Sequence, residues 1–137
     1  MKKGSALILT IFMIALFLAL GTSLAKIVNN YYRGTNSLLV REQAFYLAEA
    51  GLERAKVELV KNPNWYTDPP YYPIDNDNWL VNVALGHKEN LGHGSFKIVR
   101  EKSKGWLYSI GLKGKGVIIL KLKFSNPPFK TLSWEEL

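Results

Sequence analysis

The side chains best equipped for chemistry gather between residues 62 and 93. The stretch 62–78, NPNWYTDPPYYPIDNDN, holds Asp68, Asp75 and Asp77, hard oxygen donors of the kind that bind calcium. Asp75-Asn76-Asp77-Asn78 comes nearest to a calcium loop, but it lacks the glycine and distal glutamate of an EF-hand, and turn-forming Asx residues account for the run. His87 and His93 lie in a Gly-rich connection, GHKENLGHG. Zinc would need further ligands at suitable spacing, and the chain has no cysteine to supply them, so exposed loop histidines are expected. There is no phosphate-cradling loop, no Ser/His/Asp spacing and no HExxH; Gly111, Gly114 and Gly116 are accounted for by a hairpin. The chain therefore reads as a protein that is not an enzyme and needs no cofactor or metal. Lys97, Lys113, Lys115, Lys121 and Lys123 could meet DNA phosphates. Lysines also protect sheet edges, and solvated lysines are the plainer account of a net charge of +7.

The elements that must carry these residues are of two kinds. Toward the C-terminus, 95–101 (SFKIVRE), 106–112 (WLYSIGL) and 117–124 (VIILKLKF) are β-rich runs joined by Gly-containing turns, which predicts an antiparallel meander. Phe96 and Ile98 alternate with Lys97, and Leu120, Leu122 and Phe124 with Lys121 and Lys123, which predicts one buried face and one wet face. The run 79–85 (WLVNVAL) reads as either a strand or a short helix, with the strand favoured. The Pro-rich stretch before it is expected as an ordered loop packed down through Trp65, Tyr66, Tyr71 and Tyr72. The tail after Pro127-Pro128 is expected to dock through Phe129 and Trp134.

Toward the N-terminus the pattern is helical. Tyr31, Leu38, Phe45, Leu52 and Leu59 recur every seven residues, with Ala48 and Ala55 beside them, and form one apolar stripe. Pro63 ends the helix, and Gly21 and Gly34 are its weak points. The stripe is expected to lie on the sheet, with Phe45, Ala48, Gly51, Leu52, Ala55 and Leu59 as the packing residues. The result is an α+β fold.

The same helix begins in a different medium. Residues 5–25 run for 21 positions without an ionisable side chain, long enough at the helical rise to span about 31 Å, the thickness of a bilayer core. Lys2 and Lys3 precede the span, so the positive-inside rule leaves the body on the far side of the membrane. Three readings of this start compete. It is a permanent single-span anchor; or it is cut after Ser23-Leu24-Ala25, giving a protein that begins at Lys26; or it is cut after Gly4, leaving the apolar helix in place. The unbroken pattern beyond Ala25 favours the last.

Lys-Lys-Gly followed by Ser-Ala-Leu, the uncharged span, and QAFYLAEAGL at 43–52 together resemble the type IV pilin-like proteins, most nearly the PilX-type minor pilins and the minor pseudopilin that caps type II secretion filaments. The resemblance covers residues 1 to about 60. It implies a pilin-like fold, cleavage by prepilin peptidase after Gly4, and methylation of the new terminus at Ser5. It also implies partnership with other pilins through the N-terminal helix, and residence first in the inner membrane and then in a filament. Leu9 departs from the pattern, because most pilins carry glutamate at the corresponding fifth mature position. A carboxylate within a membrane is costly and persists only with a use, and the resembling tip subunits also lack it, so Leu9 points to a tip or initiating subunit. The expected organisation is a leader at 1–4, a transmembrane half-helix at 5–25, an amphipathic half-helix at 26–61, a Pro/aromatic-rich region at 62–94 and the meander with its tail at 95–137. The alternative is a binding module for DNA or protein, anchored by a single span.

Overall fold

The structure, a computed structural model, describes residues 2–67, 76–102 and 104–137, leaving aside the side chains of Lys2 and Lys3. The chain divides into two compact units, 1–37 and 38–137. One helix, α1 (Lys2–Lys61), supplies all the described structure of the first unit and opens the second. It stops one residue before the Asn62-Pro63 pair; Asn62 N–H still donates to Glu58 O, and its side chain accepts from Asn64 N–H in an Asx turn. In the first unit every residue from Gly4 onward is exposed.

The second unit is α+β, as the two periodicities predict. Five strands, β1 (His87–Leu91), β2 (Gly94–Val99), β3 (Trp106–Lys113), β4 (Gly116–Ser125) and β5 (Lys130–Glu136), form an antiparallel meander in sequential order. The three expected runs are β2 to β4. The two edge strands correct the expectation. The supposed Gly-rich connection is a hairpin arm: Leu91 pairs with Gly94 across a two-residue turn in which Gly92 takes a positive φ of 59°. The tail adds β5 to the sheet, Leu122 opposite Trp134, with an irregularity at Lys123/Phe124. Phe129 stacks on Phe124 as expected of a docking residue, whereas Trp134 stays more than half exposed beside Phe45.

The run 79–85, open between strand and short helix, takes the helical alternative rather than the favoured strand: a short π-helical turn, Trp79–Val83, started by Asn76, whose Oδ1 accepts from Trp79 N–H. This turn also corrects the wet face. Leu80 and Ala84 pack on Val99, Tyr108, Ile110 and Ile119, so the sheet is covered on both sides. Lys97, taken from its alternation as exposed, is buried and donates to the carbonyls of Val81 (2.9 Å) and Ala84 (3.0 Å) at the end of the turn. An ammonium satisfied in this way can sit beneath an apolar layer. Hydropathy alternation sees the lysine but not its acceptors.

The other face carries α1. Ala44, Leu47, Ala48, Leu52, Ala55 and Leu59 are buried against Phe96, Ile98, Leu107, Ile118, Leu120, Leu122 and Phe124. The heptad stripe is right in its C-terminal part and wrong before it. Tyr31 and Leu38 are 72% and 65% exposed, whereas Phe45 is half-buried and packs on the core beside the fully buried Ala44. Small residues decide the approach: Ser109 Oγ donates to Ala48 O (2.6 Å), and Gly51 lies against Ser109 and Phe96. A Cβ added at Gly111 would overlap Ala44 O and stand 2.7 Å from Ala48 N.

Candidate assembly helix

The residues singled out for processing and assembly all lie on α1, in two groups. Gly4, Ser5 and Leu9 belong to the first unit, and Phe45, Ala48, Gly51, Leu52, Ala55 and Leu59 belong to the second. Gly4 and Ser5 sit inside the helix rather than at its boundary, and a Cβ at Gly4 would meet nothing within 4 Å. Neither conformation nor packing calls for glycine there. Leu9 is 63% exposed, like the apolar residues around it.

By length and composition α1 can cross a membrane, and none of its most apolar window is buried by the rest of the chain. Its few polar side chains are suited to that medium. Thr10 Oγ1 donates to Ala6 O (2.8 Å), Thr22 Oγ1 to Ala19 O (2.9 Å) and Ser23 Oγ to Ala19 O (2.8 Å), so each hydroxyl is satisfied by the helix itself. Within the second unit, Leu39, Tyr46, Val57 and Val60 are exposed on the side of α1 away from the sheet.

The second half of α1 also carries ion pairs: Arg41–Glu136 (2.9 Å), Lys56–Glu53 (2.6 Å), and Arg54 shared between Glu58 and Glu89 (each 3.2 Å). Exposed pairs of this kind stabilise little, which agrees with a helix held by packing. Glu89 links three elements, because His87 Nε2 lies 2.7 Å from it and the His87 ring meets Trp65 edge-on. The His87 hydrogen bond, opposed by desolvation and supported by Arg54, holds the Glu89 carboxyl below its ordinary value. Sequence spacing gave no sign of this link, because its members are 35 residues apart and join only through the β1–β2 hairpin.

Arg100 is the other cation the sequence left unremarked. It is buried beside the Phe124 ring, with its guanidinium donating to the carbonyls of Trp65 and Pro63 and, at 3.5 Å, of Lys104. Burial lowers its pKa, but a guanidinium remains charged. Its work is to hold the segment after α1 against the sheet, together with Thr67, whose N–H donates to Arg100 O and whose Oγ1 accepts from Arg100 N–H.

The remaining sequence candidates disperse. Asp68, Asp75, Tyr71 and Tyr72 lie outside the described residues. Asp77 precedes the π-turn, and among the described residues no three metal-binding side chains come together. His87 is engaged with Glu89, and the His93 carbonyl accepts from Lys113 Nζ at 3.1 Å. Of the five lysines considered for DNA, Lys97 is buried and Lys121 lies over Trp106 and Tyr108. Compared with protein-family models, with curated proteins and with solved structures, the chain matches none.

Proposed function

We propose that this protein is a minor subunit of a type IV pilus or related filament, cleaved by prepilin peptidase after Gly4 and active at or near the tip, where assembly starts. The observation that carries the reading is the continuity of α1. Its first half is apolar, exposed and internally satisfied, as a lipid or filament core requires, and its second half is the central packing element of the α+β unit. A disposable signal peptide or a generic anchor has no need to be one helix with the fold it delivers. Three further features support the reading. The apolar row Leu39, Tyr46, Val57 and Val60 offers a surface to neighbouring helices; Gly4 has no structural reason to be glycine and so is available as a recognition residue; and Leu9 has no carboxylate to pair with a subunit beyond it.

In this scheme the subunit waits in the inner membrane, its leader is removed, Ser5 becomes the methylated terminus, and helix–helix packing draws it into the fibre. The test is the intact mass of the protein in a membrane fraction with its native processing machinery. The expected species begins at Ser5, with or without one added methyl, and substitution of Gly4 leaves the leader attached and the protein outside filaments. A full-length species would instead support the anchored binding module, and one starting at Lys26 a secreted protein. Labelling along the whole fibre rather than at one end would overturn the tip position alone.

A further inference from the structure

Two hollows adjoin along the β5 side of α1. One, of about 220 Å³, is lined by Leu52, Leu120, Leu122 and Trp134; the other, of about 370 Å³, lies against Ile118 and Phe45. The Phe45 and Trp134 ring centroids, one from each hollow, are 6.4 Å apart. Carboxylates rim the groove that results, Glu49 and Glu53 at the first hollow and Glu42 and Glu136 at the second. Glu53 is paired with Lys56 and Glu136 with Arg41, whereas Glu42 and Glu49 are exposed and meet no cation among the described residues. The groove thus keeps two uncompensated negative charges on a chain whose net charge is +7. They stand seven residues apart on α1, two turns or about 10.5 Å along one face. The chain carries the complement at the same spacing. Lys26 and Arg33 are also seven residues apart on α1, exposed, and without a carboxylate partner among the described residues. Each stands sixteen residues before one of the two glutamates.

We propose that this groove takes a second copy of the chain, docked through residues 26–33 of its α1, with Lys26 against Glu42 and Arg33 against Glu49. Chains inserted in one membrane point the same way, and parallel helices staggered by sixteen residues make both pairs at once. Any other parallel register joins at most one of these cations to one of these carboxylates. Trp134, more than half exposed, lines the hollow beside Glu49 and offers the incoming guanidinium an indole face as well as a carboxylate. The aliphatic stems of the two cations cover the leucines below. Exposed ion pairs set register more than affinity, so the apolar floor and confinement to one membrane supply the rest. The contact is heterologous: each copy offers one groove and one cationic stretch, so a third can follow the second. The inference needs only copies that share a membrane, and it stands or falls apart from the filament reading.

The experiment uses the full chain in uncharged detergent micelles and reads self-association by sedimentation. Association is expected, and it should weaken as salt rises toward about 1 M, where the screening length falls to about 3 Å. R33E or E49R should each weaken it about tenfold, with the unfolding of the second unit unaltered because both side chains are exposed. The exchanged pair R33E/E49R should restore association, as should K26E/E42K. K26E/E49R has the same net charge as these exchanges but sets like charges together at both positions, so it should associate more weakly than E49R alone. A monomer at every concentration, association indifferent to R33E and E49R, or recovery in K26E/E49R as full as in R33E/E49R would overturn the proposal. So would loss of association on adding phosphatidylglycerol, which would assign the two cations to lipid headgroups instead.

Discussion

The two halves of α1 both carry glycines and leucines and use them oppositely. Glycine makes the contrast sharpest. Gly21 and Gly34, in the first unit, have nothing within 4 Å of where a Cβ would stand, whereas Gly51 is wedged against Ser109 and Phe96 and faces a strand whose Gly111 lies under the Ala44 carbonyl. Leucines divide in the same way: Leu18 is 66% exposed, and Leu59 is fully buried. Glycine and leucine content alone does not separate these halves. What separates them is whether the chain supplies its own apolar partner. The second half has the sheet, and the first must find lipid or another helix.

That contrast can be broken most severely at the seam. Gly111→Val inserts atoms where the helix backbone already lies, so we expect a loss of at least about 3 kcal/mol from the second unit, read by denaturant unfolding of the full chain in micelles. A paired substitution sharpens the comparison. Leu59→Ala should cost about 2–5 kcal/mol in the same assay, while Leu18→Ala should change it by less than about 0.5 kcal/mol, because Leu18 is mostly exposed on the helix. An effect of Leu18→Ala as large as that of Leu59→Ala would refute the division of labour. Gly34→Ala should raise local helix stability by up to about 1 kcal/mol, seen as slower amide exchange in residues 26–37, without moving the unfolding of the second unit.

The smallest effect concerns pH. The Glu89 carboxyl is held below its ordinary value, chiefly by the His87 hydrogen bond. Its stabilisation is therefore present above the unfolded value of 4.5 and lost as pH falls through the lower folded value. Thermal unfolding measured between about pH 5 and 3 should fall less steeply in Glu89→Gln than in the unaltered chain.

Much of this architecture could be read from residue spacing, and what could not has a physical reason in each case. The three central strands and the end of the helix before Pro63 follow from alternation and from a missing N–H. The heptad stripe missed Ala44 because a small residue carries little weight in a hydrophobic pattern, yet smallness is what the Gly111 contact selects. The run 79–85 is rich in strand-forming residues, and only its packing on Val99, Tyr108 and Ile119 lets it close as a π-turn. Lys97 looked solvated because a periodicity argument assigns faces before acceptors are known. Glu89, Arg54 and His87 were each visible in the sequence, but their meeting depends on a hairpin that GHKENLGHG does not announce. In the N-terminal half the sequence carries nearly the whole account, since a helix without tertiary partners leaves little for a fold to add.

The continuity of α1 also has a mechanical consequence. Tension on the N-terminal half travels along an unbroken ladder of backbone hydrogen bonds and arrives at the stretch between Ala44 and Leu59 that lies on the sheet. There the load acts along the helix axis, as shear. The Ser109–Ala48 bond, the Gly111 contact and the leucine side chains must give way together rather than in sequence. Under such a pull the packed stretch would therefore yield as a unit or hold as one.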